Sequence, residues 1–342
     1  MADNPTIGLV GLGAMGLPMG RRFTNAGRSL MVVPHVRTAP AEELEAAGAQ
    51  IVASAAELRE VCDVVVTCLP DVPQVQDALF GERGLIATGG AGGRTSLVID
   101  MSTINPSAAR QHCERLAQAG IAALDAPVSG GPARAADGTL TIMVGGDTAD
   151  LERARSVLEL VGNHIVHVGG PGSGQAVKLV NQLIISVIMV ANAEALTLGV
   201  EAGVPLETLL EVIGTSSGSN CIMQQWLPRT LFSGDLSGGF ALDLLQKDLN
   251  AALAWAKDLG LPAFGGALAV TQFVVGGIKQ TLGAGHIDLV ETLSVVDHGD
   301  LPETGGRRPA APAERCAAWH SVVHVWPLGG WVDIGVVAPP VT

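Results

Sequence analysis

The sequence predicts an α/β chain in three parts: a doubly wound parallel sheet over residues 1–168, an all-α domain over 169–296 and an atypical tail over 297–342. Three observations lead there. Short β-like runs alternate with helical stretches up to about residue 168. The alternation stops at a glycine-rich joint, Gly169-Gly170-Pro171-Gly172. Helical periodicity then continues to about Val296 with no convincing strand.

Taken in order, the expected strands are Thr6–Val10, Leu30–Val33, Val64–Cys68, Leu97–Asp100, Ile121–Asp125, Leu140–Val144 and Ile165–Val168. Helical stretches such as Glu42–Ala47, Pro106–Ala119 and Thr148–Val161 lie between them, so the sheet is largely parallel with helices on both faces. Beyond the joint, Gln175–Ala202 reads as a single helix of about 40 Å, at 1.5 Å per residue. Its uncharged apolar stretch, Leu179–Ala193, falls short of the roughly 20 residues of a membrane span and is broken by Asn181, Gln182, Ser186 and Asn192. A buried helix of a soluble domain is expected. Later breaks fall at Gly203-Val204-Pro205, 214–218, 234–239 and Gly260-Leu261-Pro262. The tail after Asp297 is rich in Pro and Gly, holds 3 of the 5 Trp and keeps no regular period; it is expected to be poorly ordered or weakly docked.

Composition narrows the function. A hydrophobic share of 48% over 342 residues is ample for two packed domains. With 33 acids against 20 bases the net charge is −13, which argues against nucleic acid and anionic membrane as partners. The 5 cysteines are odd in number and lack CxxC spacing, so neither a disulfide frame nor a zinc site is indicated. The first residues lack the basic and apolar regions of a signal peptide, and a cytoplasmic location is expected.

Gly11-Leu12-Gly13-Ala14-Met15-Gly16 directly follows the first strand and opens a helix, the context of a dinucleotide-binding Rossmann turn. Gly11 permits the turn, Gly13 lets backbone approach a pyrophosphate, and Gly16 allows close helix packing. A glycine-rich turn without ligand is the competing reading. An acid for the ribose hydroxyls is expected about 20 residues on if the cofactor is NAD, yet residues 4–41 contain none. The second strand runs instead into Arg37 and Thr38, which favours NADP, with NAD still open and a solvated Arg37 as the alternative.

Further chemistry gathers at strand ends, where doubly wound sheets place ligands. Ser129-Gly130-Gly131 offers a hydroxyl and open backbone N–H groups for a carboxylate, or is simply a turn. Lys178 and Asn181, three apart near the start of the long helix, share a face beside the joint. A lysine desolvated there has a lowered pKa and can exchange a proton with a carbonyl or alcohol; a solvated lysine is the plainer alternative. His164, His167, Cys62 and Cys68 read as packing residues, and Trp226 either lines the pocket or caps a helix.

Seven ordered motifs, GLGAMGLPM (11–19), CLP (68–70), DMSTINP (100–106), DAPVSGG (125–131), DGTLTIMVGG (137–146), GSGQAVKLVNQ (172–182) and Lys247-Asp248-Leu249, together resemble the β-hydroxyacid dehydrogenase family, which includes 3-hydroxyisobutyrate dehydrogenase and tartronate semialdehyde (2-hydroxy-3-oxopropionate) reductase. The resemblance covers about residues 6–296 and implies hydride exchange between NAD(P) and a short β-hydroxy acid or its semialdehyde. It implies that Gly11, Leu12, Gly13, Ala14 and Met15 hold the pyrophosphate, that Leu69 and Pro70 line the adenosine side, and that Thr103 sits near the nicotinamide. Ser129, Gly130 and Gly131 would bind the substrate carboxylate, Lys178 would be the acid/base assisted by Asn181, and Lys247 would lie across the cleft near cofactor and substrate, with Asp248 supporting its helix. A homodimer or homotetramer built through the long helix is implied as well. Imine reductases share this scaffold but usually lack the lysine at position 178, so its presence favours the alcohol/aldehyde couple; a non-catalytic NADP-binding module is the other alternative. The Pro34-His35-Val36 insertion and Arg134, free on sequence alone to reach substrate or solvent, depart from the family pattern, and the tail has no counterpart in it.

Overall fold

The computed structural model describes residues 4–87, 92–233 and 241–271, with two short strands, Val323–Val325 and Val332–Ile334, further on. The chain forms two compact units, 1–296 and 297–342. In the second, those two strands pair antiparallel, a ladder the irregular sequence there did not foretell. The rest of the 297–342 tail, whose order the sequence questioned, lies outside the described residues, as does the predicted break at 234–239.

The first unit begins with β1 (Ile7–Val10), α1 (Gly16–Asn25), β2 (Leu30–Val33), α2 (Ala39–Ala46), β3 (Gln50–Ile51), α3 (Ala55–Val61) and β4 (Val64–Thr67). It continues through α4 (Val72–Phe80), β5 (Leu97–Asp100), α5 (Pro106–Gln118), β6 (Ala122–Asp125), β7 (Val128–Ser129), α6 (Gly131–Asp137) and β8 (Leu140–Gly145). Then come α7 (Thr148–Leu158), β9 (Gly162–Gly169), the 29-residue α8 (Ser173–Glu201), α9 (Leu206–Gly214) and α10 (Leu242–Asp258). A π-helical turn at Ile222–Trp226 separates α9 from α10, and a further helical stretch covers 264–271.

The sheet order is β3-β2-β1-β4-β5-β6-β8-β7, with β9 on the other edge of β8. The first six strands are parallel. Their apolar runs are buried on both faces: Ile7, Leu9, Val64, Val66, Leu97 and Ile99 pack into one core, and Val10, Val65 and Val98 into the other. Strand order reverses between β1 and β4, so the crevice for a ligand opens at their carboxyl ends. The parallel prediction holds up to β6. There the chain bends at Ala126-Pro127, and β6 and β7 run on as one strand antiparallel to β8, with Asp125 opposite Gly145 and Ser129 opposite Thr141.

Helix starts follow local chemistry. Asn105 accepts from the Ser107 N–H at 2.7 Å with Pro106 in the first turn of α5, and Asp147 accepts from the Ala149 N–H at 2.7 Å to start α7. The α8 helix has no such residue of its own, because Gly172 stands at its cap with φ 83°. Its expected burial needs correcting. Its buried residues include the polar Gln175, Lys178, Gln182, Ser186 and Asn192, while Val177, Val180, Ile184, Val187, Leu198 and Val200 are exposed. Trp226 packs against both small cores of the helical region, one around Met189, Leu245 and Leu249, the other around Leu196, Met223 and Leu227.

Candidate active site

The turn after β1 is shaped by glycine where nothing else fits. A Cβ at Gly11 (φ 100°) would lie 2.2 Å from the Cys68 carbonyl oxygen, and one at Gly16 would lie 1.8 Å from that of Gly11. At Gly13 the opposite holds: no atom comes within 4 Å of a built Cβ, so space stands open before the backbone. The N–H groups of Leu12, Gly13 and Ala14 find no acceptor among the described residues, and the first turn of α1 carries no acid. A helix N-terminus with free donors and clear space fits a pyrophosphate. Leu12 and Met15 pack on the core beneath. Leu69 lies beside Gly11 and donates its N–H to Ser102 Oγ at 2.9 Å, with Pro70 exposed after it.

The segment 4–41 contains four arginines and no acid. Arg21 pairs with Glu43, Arg22 donates to the Leu160 carbonyl and Arg28 binds Asn4. Arg37 is exposed after β2 and has no partner among the described residues; Thr38, also exposed, stands at the start of α2.

At the other side of the crevice the polar stripe of α8 meets α10. Lys247 Nζ donates to the Thr103 carbonyl at 2.5 Å and pairs with Asp248 Oδ1 at 2.8 Å. Asp248 Oδ2 accepts from Gln182 Nε2 at 2.8 Å. On α8, Gln175 Oε1 accepts from the Ile104 N–H at 3.0 Å and its Nε2 donates to the Ser102 carbonyl at 2.9 Å. Gln175 and Gln182 thus bracket Lys178 on one face, and a chain of hydrogen bonds through 102–104, Lys247 and Asp248 connects them. Lys178 is buried, and no described residue accepts a hydrogen bond from its ammonium. Burial draws that group below the ordinary lysine pKa, with the Asp248 carboxylate opposing and the Lys247 charge adding to the effect.

Asn181 lies at the edge of this stripe, half-buried, and donates to Gln182 Oε1 at 3.3 Å. Gln182, four residues from Lys178, is the one that reaches Asp248. The sequence reading overlooked Gln175, Gln182 and the role of Asp125; i, i+4 spacing would have pointed to Gln182, but nothing local marks the other two. Asp125, at the end of β6, accepts from the N–H of Gly172 at 2.7 Å and of Gln175 at 3.0 Å, supplying the cap that α8 lacks. Burial pushes its carboxyl up to about 6 against the pull of those two donors. Ser129 follows on the same bent strand, and Gly130 (φ 135°) and Gly131 (φ 68°) lead into α6. Arg134 turns back to donate to the Thr139 carbonyl, packing where a Cβ on Gly130 would stand. Among the described residues, no hydrogen bond joins Ser129, Gly130 or Gly131 to the Lys178 group.

Residues 6–169 match a family model described as the NAD binding domain of 6-phosphogluconate dehydrogenase, and residues 172–293 match one described as NAD-binding of NADP-dependent 3-hydroxyisobutyrate dehydrogenase. A 2-(hydroxymethyl)glutarate dehydrogenase of Eubacterium barkeri is 38% identical over 86% of this chain and 96% of its own. The chain belongs to the β-hydroxyacid dehydrogenase family. Another relative in that family, the 2-hydroxy-3-oxopropionate reductase of Escherichia coli, is 39% identical over 75% of this chain and 85% of its own. A solved 3-hydroxyisobutyrate dehydrogenase of Mycobacterium tuberculosis with L-serine superposes with a TM-score of 0.77 at 32% identity, covering 86% of this chain and 99% of that one. An imine reductase from Pseudomonas sp. shares the fold alone, at 19% identity over 85% of this chain and 99% of that one, with a TM-score of 0.54. As a β-hydroxyacid dehydrogenase, the chain is an NAD(P)-dependent oxidoreductase acting on a CH–OH group.

Proposed function

We propose that this dehydrogenase interconverts a short β-hydroxy acid and its semialdehyde, with Lys178 as general acid/base and Asn181 assisting it. The observation that carries the reading is a buried lysine whose ammonium has no hydrogen-bond acceptor among the described residues, one helical turn beyond the contact between α8 and the 102–104 loop. The nicotinamide, when bound, supplies or takes the hydride. Lys178 gives a proton to the carbonyl oxygen in reduction and, as the neutral amine, takes the hydroxyl proton in oxidation. The charges of Lys178 and Lys247 stabilise the developing alkoxide. Ser129, Gly130 and Gly131 take the substrate carboxylate; L-serine, present with the Mycobacterium tuberculosis relative, has the same short β-hydroxy acid chemistry.

Gly11, Leu12, Gly13, Ala14 and Met15 take the pyrophosphate, Leu69 and Pro70 the adenosine side, and Thr103 with Lys247 the nicotinamide side. The unpartnered Arg37, with Thr38, supports NADP as the preferred cofactor. The exposed apolar face of α8 supports a homo-oligomer, and the free thiols of Cys62, Cys68, Cys113 and Cys221 support a reducing, cytoplasmic location.

The test is NADPH and NADH oxidation against tartronate semialdehyde, methylmalonate semialdehyde, succinic semialdehyde and glyoxylate, with and without Lys178→Ala. Turnover should fall roughly 10²–10⁴-fold in the variant while cofactor binding persists. Because its pKa is lowered, reduction by the parent enzyme should fail and oxidation should rise as pH climbs through the Lys178 value. Near-normal turnover by Lys178→Ala overturns the assignment.

A further inference from the structure

We propose that Gln175 is a positioning residue, fixing Lys178 at a set place relative to the 102–104 loop. The inference rests on the acid/base reading of Lys178 and adds to it the residue that holds the helix in register with the loop.

Gln175 is fully buried and spends both ends of its amide on backbone, accepting from the Ile104 N–H and donating to the Ser102 carbonyl. Ser102 and Ile104 are buried as well, so water does not stand in for the amide. A side chain with both a donor and an acceptor at this reach reads two backbone groups at once, which fixes the helix in rotation as well as distance. Lys178 follows three residues on, about 4.5 Å along the axis on the same face. The surroundings show a built contact. Gln175 gives its own N–H to Asp125, and the two glycines beside that carboxylate admit no side chain: a Cβ at Gly174 would lie 2.3 Å from the Met143 carbonyl oxygen, and one at Gly145 would lie 2.5 Å from Asp125 Oδ1. The same loop is held from α10, where Lys247 grips the Thr103 carbonyl between the two groups that Gln175 holds. The loop is therefore clamped from both helices, and Lys178 stands one turn along α8 from the first clamp, within the field of the Lys247–Asp248 pair at the second.

The test uses the full chain with Gln175→Met, which fills the space without polar ends, and Gln175→Glu, which keeps the acceptor. In cofactor-free protein, hydrogen exchange at the Ile104 amide should quicken at least about tenfold in Gln175→Met. Turnover per folded molecule should drop on the order of 10–100-fold, the scale of a misplaced catalytic group, with KM for the hydroxy acid within about threefold of the parent. In Gln175→Glu the introduced carboxyl, once protonated, reproduces both the donor and the acceptor. The charged groups around it are Asp125 on β6, which takes the N–H of residue 175, Asp100 on β5, which takes the Ser102 N–H, Lys247 on α10, which holds the Thr103 carbonyl and pairs with Asp248, and Lys178 three residues on. Its turnover relative to the parent should therefore recover as pH falls. Fast Ile104 exchange with turnover within twofold of the parent overturns the proposal, as does a flat relative pH profile in Gln175→Glu if Gln175→Met does not fold. An active Lys178→Ala overturns the acid/base reading itself, whereas an inactive Lys178→Ala beside a fully active Gln175→Met overturns the positioning role alone.

Discussion

At the scale of single residues, the glycine turn after β1 separates two glycines that the fold needs from one left free for the proposed pyrophosphate. Gly11 and Gly16 are required by backbone contacts inside the protein, whereas Gly13 borders open space. Gly13→Val should therefore leave the melting temperature within a degree or two of the parent and abolish tight NADPH binding, measured by calorimetry. Arg37 gives a matching test of cofactor choice. A charge-assisted hydrogen bond contributes about 1.5–3 kcal/mol, so Arg37→Ala should weaken NADPH binding roughly 10–100-fold and leave NADH within twofold. The acid-free stretch was legible in the sequence, and the end of the second strand already pointed to Arg37 among its four arginines. Folding adds that the other three, Arg21, Arg22 and Arg28, are engaged elsewhere.

At the scale of elements, α8 begins on a cap lent by β6. The Asp125 carboxyl holds its proton more tightly in the fold than in the unfolded chain, about 6 against about 4. Its contribution to stability is thus fully present below about pH 4 and is lost as pH rises through about 6. At 1.36 kcal/mol per unit this loss amounts to about 3 kcal/mol. Asp125→Asn does not titrate, so the stability of the parent relative to this variant should decline by up to that amount from pH 4 to pH 7 in denaturant unfolding. The strands and helices of this region were legible because their apolar periods and caps are local. The cap of α8 was not, because its acid lies 47 residues upstream of Gly172.

For the whole molecule, the face of α8 turned away from Lys178 carries Val177, Val180, Ile184 and Val187, with Ile184 52% exposed and Leu198 73% exposed further along the helix. An apolar stripe of this kind is a surface that the proposed oligomer would cover. The 29-residue helix outruns the uncharged stretch read from the sequence and is long and apolar enough to cross a membrane, yet its inward stripe is polar and bonded to α10 and the 102–104 loop, which fits a helix shared between copies of the chain. Ile184→Asp should shift the parent oligomer to smaller species in sedimentation velocity.

Local order along the chain determined the alternating sheet, the glycine turn, the start of α8 after Gly172 and the family, because strand runs, helix periods and ordered motifs are all written within short windows of sequence. Tertiary structure alone decided which polar residues of α8 meet. Hydropathy reports how apolar that helix is but not which way it faces, and it turns Gln175, Lys178, Gln182 and Asn192 inward while leaving Val177, Val180, Ile184 and Val187 outside. Asn181 and Gln182 are adjacent in the sequence, yet the 100° step between neighbours on a helix puts Gln182 on Asp248 and Asn181 at the rim. The partners that set this orientation, Asp125, the 102–104 loop and Lys247, lie on three separate elements that only the folded chain brings to the same helix.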